Sequence, residues 1–121
     1  MQFQGTSILT VDFSHATPGE SMSMIEELSL AIEGQSPDSL LILTDVTGVA
    51  YDSSVSQKWK MAFVKFSPYV RASAVYGAHG LVTVVINSYA EMMQWLQIPD
   101  SAKKLRAFKD RESALAWLIK C

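Results

Sequence analysis

The amino-acid sequence predicts an α/β domain with a parallel sheet, and two observations carry that prediction. Strand-like segments alternate with segments of helical periodicity, in the order β-α-β-α-β-α-β-α. One strand-like segment, residues 39–46 (SLLILTDV), is apolar almost without a break, as expected of a strand covered on both faces. Parallel neighbours then need right-handed crossovers through the intervening helices.

Residues 6–13 (TSILTVDF) put Leu9, Val11 and Phe13 on one face and Thr10 and Asp12 on the other, the period of a half-buried strand. Thr17-Pro18-Gly19-Glu20 supplies an N-cap, a proline at the first helical position and the glutamate of a capping box. Met24, Ile25, Leu28, Ala31 and Ile32 then recur at helical spacing until Gly34, which predicts a helix over 18–33. After the 39–46 strand, Thr47-Gly48 breaks the pattern and Asp52-Ser53-Ser54 offers caps. Val55, Trp59, Ala62, Phe63 and Phe66 share one face of the next helix, with Lys58, Lys60 and Lys65 outside it. Ser67-Pro68 ends that helix. Residues 70–76 (VRASAVY) read as a third strand, closed by Gly77-Ala78-His79-Gly80. The following sixteen residues open with β-branched side chains, yet they exceed a typical strand. Val82, Val85, Ile86, Tyr89, Met92, Met93 and Leu96 fit a helix. Residues 104–108 (KLRAF) make a short last strand. Asp110 caps a final helix with Ala114, Trp117, Leu118 and Cys121 inward.

The chain of 121 residues is sized for one domain, 1–121. Hydrophobic residues at 49% and charged ones at 18% exclude a disordered tail and a charge-rich coiled coil. A net charge of −2 gives no bulk attraction to nucleic acid. The short basic cluster Lys103, Lys104 and Arg106 suits an edge strand that resists pairing with other molecules. A single cysteine, Cys121, rules out an internal disulfide and a Cys-based zinc site. Gln-Phe-Gln-Gly follows Met1 where a secretion signal would have a basic stretch and an apolar core, and no apolar run approaches the roughly 20 residues of a membrane helix. The expectation is a cytoplasmic protein.

Three stretches, LLILTDVTGVAYDSS, SPYVRASAVYGAHGL and LRAFKDRESALAWL, resemble the SpoIIAA-like branch of the STAS superfamily, domains similar to bacterial anti-sigma factor antagonists. With the helical phasing between them, the resemblance covers the chain from about residue 7. It implies a four- to five-stranded, mostly parallel sheet with about four helices packed against it, related in shape to the lipid-carrying CRAL-TRIO domains. It implies no established activity. The phosphorylated antagonists carry Asp-Ser-Ser-Gly-Leu at the start of the helix after the buried strand. By resemblance Ser54 stands at the switch serine, but Val55 replaces the glycine and the connection from Gly48 is one residue short. The simpler expectation is that one of Asp52, Ser53 and Ser54 only caps the helix, a Ser54–Gln57 box being one way to do so.

His15 and His79 follow strands, as do Thr47, Asp52, Lys109 and Arg111, so all six converge on the carboxyl edge of the sheet. Ligands of open α/β sheets bind there, beside helix N-termini that attract anions. No carboxylate stands at metal-ligand spacing from either histidine, so no metal is expected. No nucleophile elbow, phosphate loop or dinucleotide-binding turn is present, and no cofactor is expected. Asp45, near the end of the buried strand, reads as a carboxylate bonded to loop amides. The expectation is a non-enzymatic regulatory or binding module that recognises a protein partner or a small anionic ligand at this edge. The alternative is a carrier of a small apolar or lipid-like ligand. A two-fold homodimer is also expected, with Met92, Met93 or Trp95 supplying apolar surface.

Overall fold

The computed structural model describes residues 2–4, 8–50, 52–78, 80–97 and 105–121. Among them, β1 (Gln2–Gln4), β2 (Ile8–Asp12), α1 (Pro18–Ile32), β3 (Leu40–Asp45), α2 (Ser53–Phe66), β4 (Val70–Tyr76), α3 (Leu81–Trp95), β5 (Arg106–Phe108) and α4 (Arg111–Lys120) follow in order. His79, Lys103, Lys104 and the side chains of Met92 and Met93 lie outside the described residues.

The sheet runs β1-β2-β3-β4-β5. Four strands are parallel, and β1 pairs antiparallel with β2. That matches the expected mostly parallel sheet, although no periodicity marked Gln2–Gln4 as a strand. Because the parallel strands follow one another across the sheet, right-handed crossovers bring α1, α2 and α3 to the same face. Leu9, Val11, Phe13, Ile42, Val46 and Val75 bury that face against Ile25, Leu28, Trp59, Phe66, Ile86 and Tyr89. A run of aromatic contacts ties the layer together, with ring centroids 5.0 Å apart for Phe13–Trp59, 4.8 Å for Trp59–Phe63 and 5.6 Å for Phe63–Tyr89. The other face carries α4, where Ala114 and Leu118 pack on Leu43, Ala72 and Ala74. Trp117 and Cys121, expected inward, are half-buried, since so short a helix covers the sheet with one narrow stripe.

The helix starts follow their caps. Thr17 Oγ1 accepts from the Glu20 N–H at 3.2 Å, and Glu20 Oε1 accepts from the Thr17 N–H at 3.0 Å, the capping box read from the sequence. Asp110 Oδ1 accepts from the Ser113 N–H at 2.8 Å and opens α4. At α2 the structure selects among the three candidate caps, and the Ser54–Gln57 box is not the one used. Asp52 is the N-cap and accepts from the Val55 N–H at 2.9 Å, which leaves Ser54 exposed in the first turn. Aspartate competes well for this position because its acceptor is charged and sits at the positive end of the helix. Such a cap contributes about 1 kcal/mol.

Candidate functional site

β2 and β3 end in matching turns, Asp12-Phe13-Ser14-His15 and Asp45-Val46-Thr47-Gly48, with Asp12 and Asp45 in register on neighbouring strands. Asp12 Oδ1 accepts from the Ser14 N–H at 2.8 Å and from the Ser14 hydroxyl at 2.5 Å. These two bonds hold the Asp12 carboxyl below its usual range. Asp45 Oδ1 accepts from the Thr47 N–H at 2.9 Å, the loop-amide role expected for it. Each turn closes on a left-handed residue, His15 at φ 56° and Gly48 at φ 65°.

These turns interlock. The His15 N–H donates to the Thr47 carbonyl at 2.8 Å. The His15 ring covers Gly48 so closely that a Cβ there would lie 2.5 Å from Nδ1. Thr47 in turn sits on Gly77, where a Cβ would collide with the Thr47 Oγ1. On the α4 side, Tyr76 is in register with Asp45. Partial burial pushes the Tyr76 hydroxyl above its usual range, the Asp45 charge adds to the shift, and Arg111 opposes it.

Of the six edge residues, His15 and Thr47 are brought together, and Asp52 is spent on its cap. Arg111 acts electrostatically on Tyr76, Lys109 is exposed beside Asp110, and His79 lies outside the described residues. Among the described residues, Asp12, Asp45, Asp52 and Asp110 set four carboxylates here against the two cations Lys109 and Arg111. That balance works against holding an anion. No three His, Cys, Asp or Glu side chains among the described residues are grouped to hold a metal. Arg106 lies over the rings of Phe108 at 5.2 Å and Trp117 at 5.6 Å, so its charge is turned onto its own aromatic neighbours.

A second feature lies on the outer side of α1 and α2. A groove of about 690 Å³ runs between the helices and is lined by Glu26, Leu30 and Glu33 from α1 and its C-cap, and by Met61, Val64 and Lys65 from α2, among others. Leu30 is 73% exposed, Met61 68% and Val64 42%. Lys58 spans the groove to Glu26 at 2.8 Å and holds the Glu26 carboxyl below its usual range. Sequence reading passed over these apolar residues because it followed only the inward stripes. Leu30, Met61 and Val64 are apolar positions off those stripes, and that was the available signal. By contrast, two described cavities beside Trp59 and Phe63 measure about 10 and 20 Å³, each the room of about one water.

No family model matches the sequence, and no curated protein matches it. A solved structure does, the crystal structure of an uncharacterized protein of the DUF3478 family with a SpoIIAA-like fold from Shewanella loihica PV-4. The two are 18% identical with a TM-score of 0.57, over 92% of this chain and 80% of that one.

The chain has a SpoIIAA-like fold. On that SpoIIAA-like frame the interlocked turns occupy the carboxyl ends of β2 and β3, and Ser54 stands exposed at the start of the helix after β3. Among the described residues, no helix is long and apolar enough to cross a membrane.

Proposed function

We propose that the chain is a non-enzymatic, cytoplasmic regulatory module that works by protein–protein contact, and that the contact is made in the α1/α2 groove. The observation that carries this reading is the shared exposure of Leu30, Met61 and Val64 along one groove. Single exposed apolar residues are ordinary, whereas a contiguous apolar strip rimmed by charge marks an interaction site. The carrier alternative finds less support, because the described interior cavities have room for about one water each. An anionic ligand at the strand-end edge would approach the adjacent carboxylates of Asp12 and Asp45. The matched turns there are mutually satisfied, which suits a rigid scaffold better than a reactive centre. Trp95, on the helix expected to mediate self-association, is 81% exposed.

The double variant Leu30→Asp, Met61→Asp tests the reading. Both side chains are already exposed, so the melting temperature of the purified protein should stay within a few degrees of the parent. In extracts of the cell of origin, the wild-type chain should migrate as an assembly and the variant at the 13.4 kDa of a free chain. An assembly that survives the two aspartates would exclude the groove.

A further inference from the structure

The groove carries an asymmetry of charge. Helix α1 has Glu20, Glu26 and Glu27 with no Lys or Arg, whereas α2 has Lys58, Lys60 and Lys65 with no Asp or Glu. The groove-lining positions match in spacing. Glu26, Leu30 and Glu33 stand at i, i+4 and i+7, and Lys58, Ala62 and Lys65 repeat that spacing on the facing helix. Both helices return from the carboxyl end of one parallel strand to the start of the next, so they run in the same direction. Glu26 and Lys58 pair across the groove, and Glu33 and Lys65, each seven residues further along helices that run the same way, both fall about two turns beyond that pair. Among the described residues Glu26–Lys58 is an ion pair, and none is formed by Glu33 or Lys65.

We propose that the occupant of the groove is a second copy of this chain, related by a two-fold axis parallel to the two helices, so that α1 of each copy lies over α2 of the other. The inference rests on reading the groove as a contact surface. An axis in this direction preserves height along the helices, so it brings Glu33 of one copy to Lys65 of its partner, twice. The six side chains Leu30, Met61 and Val64, three from each copy, fill the space between these pairs. A two-fold axis across the helices would instead stack acidic α1 on acidic α1, and like charges facing one another disfavour it. The last turn of α1 contains no basic residue, and the partner's Lys65 would supply a cation near that negative end. Apolar contact gives the affinity and the charge pattern chooses the orientation. A contact built on one groove belongs to the small class of interfaces, so the dimer should be a weak one.

Sedimentation equilibrium on the full chain and two charge reversals tests this. The wild type should dimerise, and Lys65→Glu and Glu33→Lys should each weaken self-association at least about tenfold, since each creates two like-charge contacts. Mixing the two variants should restore association, because every facing pair is then opposite in sign. Intact melting curves for both variants secure the comparison. A wild type that remains a 13.4 kDa monomer at about 500 µM, where a dimer of Kd about 100 µM would be mostly associated, would overturn the proposal. So would single reversals that dimerise as well as the wild type, or a mixture that does not associate. A monomeric wild type whose cellular assembly is still dissolved by Leu30→Asp, Met61→Asp would refute the second copy and leave the groove as the contact surface for another protein.

Discussion

Replacing Trp59 with alanine should destabilise the domain by about 3–5 kcal/mol, the range for removing a large aromatic side chain from a packed core. Trp59 is 6% exposed and is the central ring between Phe13, just past the end of β2, and Phe63 within α2. Its indole also lines two small apolar cavities, so truncation would enlarge empty space already present beside it. Total stabilities of about 5–15 kcal/mol are usual, so the loss would remove a large share. The denaturant midpoint should fall steeply for Trp59→Ala. For Met61→Ala, two residues away but exposed, it should move by about 0.5 kcal/mol or less. Equal midpoints for the two variants would contradict the packing described for this face.

A second large effect is expected at Gly77. Its φ of +85° already disfavours any side chain, at about 1–2 kcal/mol. A Cβ would also strike the Thr47 Oγ1 and lie 3.1 Å from the Thr47 Cβ and backbone nitrogen. Thr47 cannot retreat freely, because its N–H is bonded to Asp45 and its carbonyl receives the His15 N–H. Gly77→Ala should therefore cost clearly more than Gly34→Ala, which has φ +89° but open space around its Cα. The difference between them isolates the contact from the backbone term. Thr47→Ala in the Gly77→Ala background should recover part of that difference by removing the hydroxyl. Equal losses at the two glycines would show that the turn after β3 yields easily.

Much of this architecture is legible in the residues. The 3.6-residue stripe after Thr17-Pro18-Gly19-Glu20 and the apolar run of 39–46 mark their elements because local pattern and tertiary burial agree there. The first strand is not legible in this way. Three residues show no usable period, and Gln2–Gln4 is a strand because the edge of β2 offers hydrogen bonds to it. The cap of α2 is legible only as a choice among three, since Asp52, Ser53 and Ser54 can each cap a helix and the backbone geometry selects Asp52. At the edge, the approach of His15 to Thr47 follows from the register that sets Asp12 beside Asp45, and of the two turns there only the Asp45 bond to loop amides is read from the sequence. The groove was hidden for another reason. Leu30, Met61 and Val64 look like spare apolar residues until α1 and α2 are side by side.

The claim that this module makes its contacts through the α1/α2 groove is tested most directly by a photo-crosslinking residue placed in the full chain at Met61, compared with one at Lys109 on the strand-end edge. Both positions are exposed, so neither substitution disturbs the core. Irradiation in the cell of origin should give a protein adduct from position 61 and none from position 109, with an adduct twice the 13.4 kDa chain mass if the partner is a second copy. Adducts from position 109 with none from position 61 would contradict the account and return the contact surface to the edge of the sheet.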